Sequence, residues 1–218
     1  MIFLMRHGQT VANTYRILDT AVPGSPLTDL GHEQARAAAH TLLQPPTAVF
    51  HGPATRTLQT ATELCAALTT TNLTPQAVEG TYEIQAGAVE GQRGWPAFRT
   101  YQDMLWAWTQ GEAATIPGGE TLDEFTHRFQ RIIDTLAAGG VMPEGSLLVA
   151  HGAAIRMITF LSCHGLGASE LLANPLANCE IVAIERTGAF GEWTVHGHPE
   201  WLPQQVPAHL YPDAGAQP

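Results

Sequence analysis

Phe3-Leu4-Met5-Arg6-His7-Gly8-Gln9-Thr10 starts as an apolar run and breaks off in Arg-His-Gly. A strand that gives way to a loop there presents a guanidinium and an imidazole at its carboxyl end. Open α/β sheets bind their ligands at that end of their strands. Gly8, with no Cβ, allows close backbone approach to a bound group. The second half of the chain repeats the design. Ser146-Leu147-Leu148-Val149-Ala150 reads as a buried strand and ends in His151-Gly152. One such His-Gly pair is weak evidence, because most strand-end histidines only satisfy local hydrogen bonds. Two of them, one with an arginine beside it, suggest an anion site with an imidazole poised to attack.

Outward from these strands the chain alternates elements. A polar, turn-rich loop over 9–26 carries Thr10, Asn13, Arg16 and Asp19 and is punctuated by Pro23-Gly24-Ser25-Pro26. Thr28 or Asp29 caps a helix to about Leu43, stopped by Pro45-Pro46. Ala48-Val49-Phe50 is a short strand leading through His51-Gly52 to a helix from Pro53 to Leu68. Arg56 lies in that helix's first turn, where the macrodipole favours an anion. A short extended piece near Ala77-Val78 precedes Tyr82-Glu83-Ile84 and a Gly-punctuated loop. Helices are expected from Trp95 to about Gln110 and from 120 to 138, the latter ended by Gly139-Gly140. A helix through Ile155, Ile158 and Phe160 follows the second His-Gly pair. Two strands, 180–185 and 192–196, then close the domain around Thr187-Gly188. The order predicts a three-layer α/β/α sandwich on a mostly parallel central sheet. Residues 1–202 are expected to form a single domain, and 203–218 an irregular C-terminal tail.

Composition narrows the chemistry. The net charge of −10 makes nucleic acid and anionic membranes poor partners. All ten basic residues are arginine, which excludes Schiff-base lysine and P-loop lysine chemistry. Planar guanidinium forks suit phosphate or carboxylate. Cys65, Cys163 and Cys179 are far apart in apolar contexts, so buried free thiols are expected rather than disulfides. The apolar start is too short for a signal-peptide core, and no run approaches a membrane span, so a cytoplasmic protein is expected.

The strand-end residues Arg6, His7, Arg56, Glu83 and His151 suit metal-free phosphoryl transfer: an imidazole nucleophile, guanidiniums and a second imidazole around the oxygens, a carboxyl for the leaving group. Here the sequence resembles the histidine phosphatase superfamily, in its phosphoglycerate mutase-like branch, over about residues 1–186. Leu4-Met5-Arg6-His7-Gly8-Gln9-Thr10 is similar to its defining motif, with Asn13 and Arg16 at the spacings of its phosphate loop. Pro26-Leu27-Thr28-Asp29-Leu30-Gly31, Arg56 with Gln59-Thr60-Ala61, Glu83-Ile84, Pro117-Gly118-Gly119-Glu120 with Arg128, and Val149-Ala150-His151-Gly152 follow in the family's order. The resemblance implies that His7 forms a phosphohistidine and that Arg6, Arg56 and His151 hold the phosphoryl oxygens. Asn13, Thr10 and the Gly152 peptide would assist as substrate-binding groups, and Glu83 would serve as general acid and then base. No cofactor and no metal are implied; the partner is a small phosphorylated substrate, with a homodimer left open by the exposed aromatics.

Departures from the family pattern bear on the substrate. Leu18-Asp19 stands where Gln-Gly is usual, in a loop about two residues longer than usual, and His51-Gly52 replaces serines before Pro53. Tyr82 stands where an arginine is common before the acid, and fewer cations suggest a substrate with one phosphate. Asp19, Glu79 and Glu90 compete with Glu83 for the acid's role but read most simply as solvated loop charges. Arg128 and Arg131 read as facing solvent or the acidic surface, which favours a phosphatase over a mutase. The Trp95–Trp108 aromatics read mainly as packing, with a cap over the site as the sharper alternative. Phosphoglycerate mutase activity and a non-catalytic phospho-ligand binding module remain the competing functions. A zinc hydrolase using His7, His151 and His198 is a third, weakly signalled by His196-Gly197-His198.

Overall fold

The computed structural model describes residues 1–42, 44–69, 72–137, 142–163, 175–186 and 193–196. Its sheet has the order β3-β2-β4-β1-β5-β6, from β1 (Ile2–Arg6), β2 (Val49–His51), β3 (Gln76–Ala77), β4 (Leu147–Ala150), β5 (Ile181–Arg186) and β6 (Trp193–His196). The β1–β4, β4–β2 and β2–β3 pairs are parallel, and β5 and β6 add an antiparallel edge. The mostly parallel sheet of the expected sandwich is therefore present. The tail 203–218, His164, His198, His209 and the turns at Gly139-Gly140 and Thr187-Gly188 lie outside the described residues.

Alternation along the strands builds the two outer layers. Leu4, Phe50 and Leu148 turn to one face, where they join Tyr101, Met104, Leu105 and Trp108 of α4 (Trp95–Thr109). Phe125 and Phe129 of α5 (Leu122–Ala137) and Ile155 and Ile158 of α6 (Gly152–Ser162) complete that core. Met5, Val49, Leu147 and Val149 turn to the other face, against Ala35 and Ala38 of α2 (Asp29–Ala38) and Ala61 and Leu64 of α3 (Thr55–Ala67). Small residues on α2 and α3 let those helices lie close to each other and to the sheet. Gly8 belongs to this packing: a Cβ there would sit 2.5 Å from the Gly31 carbonyl oxygen. The close approach the missing Cβ permits here is to helix α2.

Three boundaries differ from the periodicity. The polar loop after β1 contains a short helix, α1 (Val11–Thr14), because Thr10 and Asn13 cap each other reciprocally: each side chain bonds the other's backbone N–H. Helix α2 ends at Ala38 rather than near Leu43, and its last turn opens into hydrogen-bonded turns through Thr41. Helix α3 starts at Thr55, with Pro53 just outside it. The three cysteines are free and buried, and burial pushes the Cys65 thiol up to about 11.

Candidate active site

The parallel register sets Arg6 opposite Ala150, so the residues just beyond both strands, His7 and His151, become neighbours. The His7 N–H donates to the Ala150 carbonyl at 3.1 Å, and the two rings meet edge to face at 5.4 Å between centroids. His7 Nδ1 lies 2.8 Å from the Gly8 carbonyl oxygen. A carbonyl only accepts, so Nδ1 carries the proton and Nε2 keeps its lone pair. Burial, then Arg56 and Arg6, hold the imidazole well below its ordinary range and so neutral. His151 has the opposite tautomer: Arg56 Nε donates to its Nδ1 at 3.2 Å, which leaves Nε2 as the N–H donor. It too is held well below the ordinary imidazole range, by burial first and by Arg56 next.

Arg6 ends β1 and is anchored by a short bond from Nη1 to the Leu176 carbonyl. Arg56, second residue of α3, has its side chain 2% exposed. Among the described residues, four buried side-chain atoms have no hydrogen-bond partner, and three belong to this cluster: Arg6 Nε, Arg56 Nη1 and His151 Nε2. All three are donors. Buried donors are normally satisfied, so three together mark a place for an acceptor-rich group. Arg6, His7, Thr10, Asn13, Arg56, Glu83 and Gly152 line one cavity of about 170 Å³, with Ile17, Leu18 and Phe98 among its apolar walls.

Glu83 enters from the loop after β3. Its Oε1 accepts from the Ile84 and Ala154 amides at 2.9 and 2.8 Å, and Oε2 from the Ala153 amide at 3.1 Å. The carboxylate thus sits on the first turn of α6, whose positive dipole end favours it. Oε2 carries one bond to Oε1's two and retains capacity for a reacting oxygen. Gly152 opens α6 beside Arg6: a Cβ there would lie 3.3 Å from Arg6 Nε. Thr10 and Asn13 line the cavity but spend Thr10 Oγ1 and Asn13 Oδ1 as acceptors in their capping box. Asn178 Nδ2 ties that box to the site by donating to the His7 carbonyl at 3.1 Å.

These residues stand in the order and setting of one family, whose model, the histidine phosphatase superfamily (branch 1), matches residues 2–198. The chain belongs to that superfamily. A PE-PGRS family protein of Mycobacterium tuberculosis is 33% identical over 211 residues, covering 89% of this chain and 35% of that protein. A bifunctional protein of the same organism is 30% identical over 194 residues, 86% of this chain and 51% of that protein. The chain therefore spans between about a third and a half of these curated relatives. A mycobacterial glucosyl-3-phosphoglycerate phosphatase superposes with a TM-score of 0.70 at 22% identity, covering 93% of this chain and 98% of that one. At that identity the likeness speaks for the fold.

Several members of this histidine phosphatase site were misread or missed in the sequence. Asp19 is no solvated charge: its side chain is 17% exposed, and Oδ2 lies 3.6 Å from Arg56 Nη1. Glu90 is not one either, since its carboxylate accepts from the Thr20 and Ala21 amides and from the Thr20 hydroxyl. Glu79 is exposed, as expected. Arg128 does not face solvent. It pairs with buried Glu120 and donates to the carbonyls of Gly80, Tyr82 and Glu83. Its guanidinium also lies 3.9 Å from the centre of the Tyr82 ring. Arg156, on the helix that follows the second His-Gly pair, also lines the cavity. The aromatic helix divides its labour: Met104, Leu105 and Trp108 are core, while Phe98, Tyr101 and Gln102 reach the cavity. No helix among the described residues is long and apolar enough to cross a membrane. Among those residues, too, no group of three or more His, Cys, Asp or Glu could hold a metal ion.

Proposed function

We propose that this chain is a metal-independent phosphatase that hydrolyses small-molecule phosphomonoesters through a phosphohistidine on His7, with residues 1–202 as its catalytic domain. One observation carries the reading. A neutral imidazole with its Nε2 lone pair available stands among three buried donors that have no hydrogen-bond partner within the described residues; one of them, Arg56 Nη1, has Asp19 Oδ2 only at ion-pair distance, 3.6 Å. A phosphoryl group supplies acceptors, and its charge is what Arg6 and Arg56 complement.

In the first step His7 Nε2 attacks phosphorus and the P–O ester bond breaks. Glu83, in its acid form, gives its proton to the departing oxygen. In the second, water attacks the phosphohistidine, its proton passes to Glu83 and the N–P bond breaks, releasing inorganic phosphate. Arg6 Nε, Arg56 Nη1 and His151 Nε2 hold the oxygens whose charge builds up in both steps. His151 acts as a donor and not as a second base, because its Nδ1 is occupied by Arg56.

The test is phosphate release from p-nitrophenyl phosphate in EDTA, with wild type beside His7→Ala. Turnover that survives the chelator and falls at least about 10³-fold in the variant supports the mechanism. Wild type quenched in alkaline SDS should carry a base-stable phosphoryl group that mild acid removes and that His7→Ala lacks. Chelator-sensitive turnover, or labelling that persists in the variant, rejects it.

A further inference from the structure

We propose that Asp19 is a specificity-determining residue that selects phosphomonoesters whose leaving group bears hydroxyls or an amine next to the phosphoryl group and rejects those bearing a second anion there. This rests on the phosphatase reading of the same cavity. Asp19 lines the cavity together with Arg56 and Glu83. Its Oδ2 accepts from the Ser25 amide at 2.8 Å and stands 3.6 Å from Arg56 Nη1; neither contact uses Oδ1.

The position is built, not incidental. Next to Asp19, the Thr20 amide and hydroxyl and the Ala21 amide all bond the Glu90 carboxylate. The Ala86 amide donates to Thr20 Oγ1, and Gln85 Nε2 to the Thr20 carbonyl. The loop that carries Asp19 is thereby fastened to the segment that carries Glu83. From the other side Gly24 presses on the same guanidinium: a Cβ at Gly24 would lie 2.0 Å from Arg56 Nη1. Asp19 is thus fixed beside Arg56, on a loop fastened to the segment that carries Glu83, the group proposed to protonate the leaving oxygen.

Charge then decides what it tolerates. The cavity wall holds three guanidiniums, Arg6, Arg56 and Arg156, against the two carboxylates of Glu83 and Asp19. Once the phosphoryl group engages Arg6 and Arg56, a further carboxylate or phosphate on the leaving group meets Asp19 in a poorly hydrated space. Like charges placed there repel, whereas a hydroxyl or ammonium gains an acceptor.

Glycerol 3-phosphate and 3-phosphoglycerate make a matched pair, alike except for a carbinol or a carboxylate at one end. Calorimetric Kd values for both are measured on His7→Ala, which cannot turn them over, with and without Asp19→Asn. The His7→Ala protein is expected to prefer glycerol 3-phosphate. Asp19→Asn, nearly isosteric and neutral, should shift the ratio of the two Kd values toward 3-phosphoglycerate by about tenfold or more. A parallel change in both affinities means that Asp19 only holds Arg56, and overturns the proposal. So does an unchanged ratio, or failure of both ligands to bind. Because binding is the readout, lack of turnover in wild type would count against the phosphatase reading alone.

Discussion

At the scale of single residues, this site works by fixing where protons are. The Gly8 carbonyl takes the His7 Nδ1 proton, and Arg56 takes the His151 Nδ1 lone pair, so two histidines 5.4 Å apart have opposite tautomers. Burial between guanidiniums keeps both neutral. The direct check on His7 is an NMR pH titration of its ring. The ring should remain in its neutral form as the pH falls through 6.5 and protonate only well below it; a transition at or above 6.5 would contradict the environment described. Arg56 offers a second check, through the glycine that backs it. Gly24 has φ of +68° and no room for a methyl group. Gly24→Ala is expected to displace the Arg56 guanidinium and raise the Kd for inorganic phosphate about tenfold or more, with the circular dichroism spectrum of the fold retained. An unchanged Kd would mean that the loop, not the guanidinium, gives way.

At the scale of elements, strands carry the chemistry and helices hold it in register. Parallel pairing of β1 with β4 brings together two His-Gly pairs separated by more than a hundred residues, and α3 delivers Arg56 to the same edge. This much was legible in the sequence, because each group lies within a residue or two of a strand or helix end that hydrophobic periodicity marks. Arg128 was not legible. Its partners are backbone carbonyls of a loop more than forty residues away, and helical spacing says only which side of α5 it is on, not what lies there. Asp19 and Glu90 escaped for the same reason: their partners are loop amides and a helix side chain, groups without a periodic signature. Arg128 now carries an element-scale prediction. Its side chain and that of Glu120 are 11% and 6% exposed, so Arg128→Met strands a buried carboxylate and should cost about 3–5 kcal/mol in urea unfolding. Adding Glu120→Gln should recover much of that stability. If Arg128 fastens the main chain of Glu83, the double variant will still have kcat lowered about tenfold or more with the Kd for phosphate little changed. Full recovery of kcat along with stability would reduce Arg128 to a structural tie.

At the scale of the whole molecule, the site is a standing cost to the fold. Arg6, Arg56, His7 and His151 are desolvated, and three of their donors make no hydrogen bond within the described residues. Two consequences follow for stability. The first is its pH dependence. Both imidazoles have folded pKa values below the unfolded value near 6.5, so between those limits the unfolded chain binds more protons than the folded one. Stability from these groups is therefore complete above about pH 6.5 and declines as the pH falls below it, by up to roughly 1.4 kcal/mol per pH unit for each histidine, until the folded rings themselves protonate. His151→Asn should make that decline shallower, and an equal slope in the variant would show the acid loss to originate elsewhere. The second is ligand linkage. An anion that supplies acceptors to those donors binds only the folded chain, so inorganic phosphate at about a hundred times its Kd should add roughly 3 kcal/mol. The rise in Tm should be greatest at and above neutral pH, where the phosphate is increasingly the dianion and best complements the two guanidiniums. Differential scanning calorimetry across phosphate concentration, with Arg56→Ala as the reference, separates this from a general salt effect. A Tm that rises equally in the variant, or equally with sulfate and chloride, would mean that the buried donors are not where the anion binds, and that their desolvation serves the packing of α3 on the sheet instead.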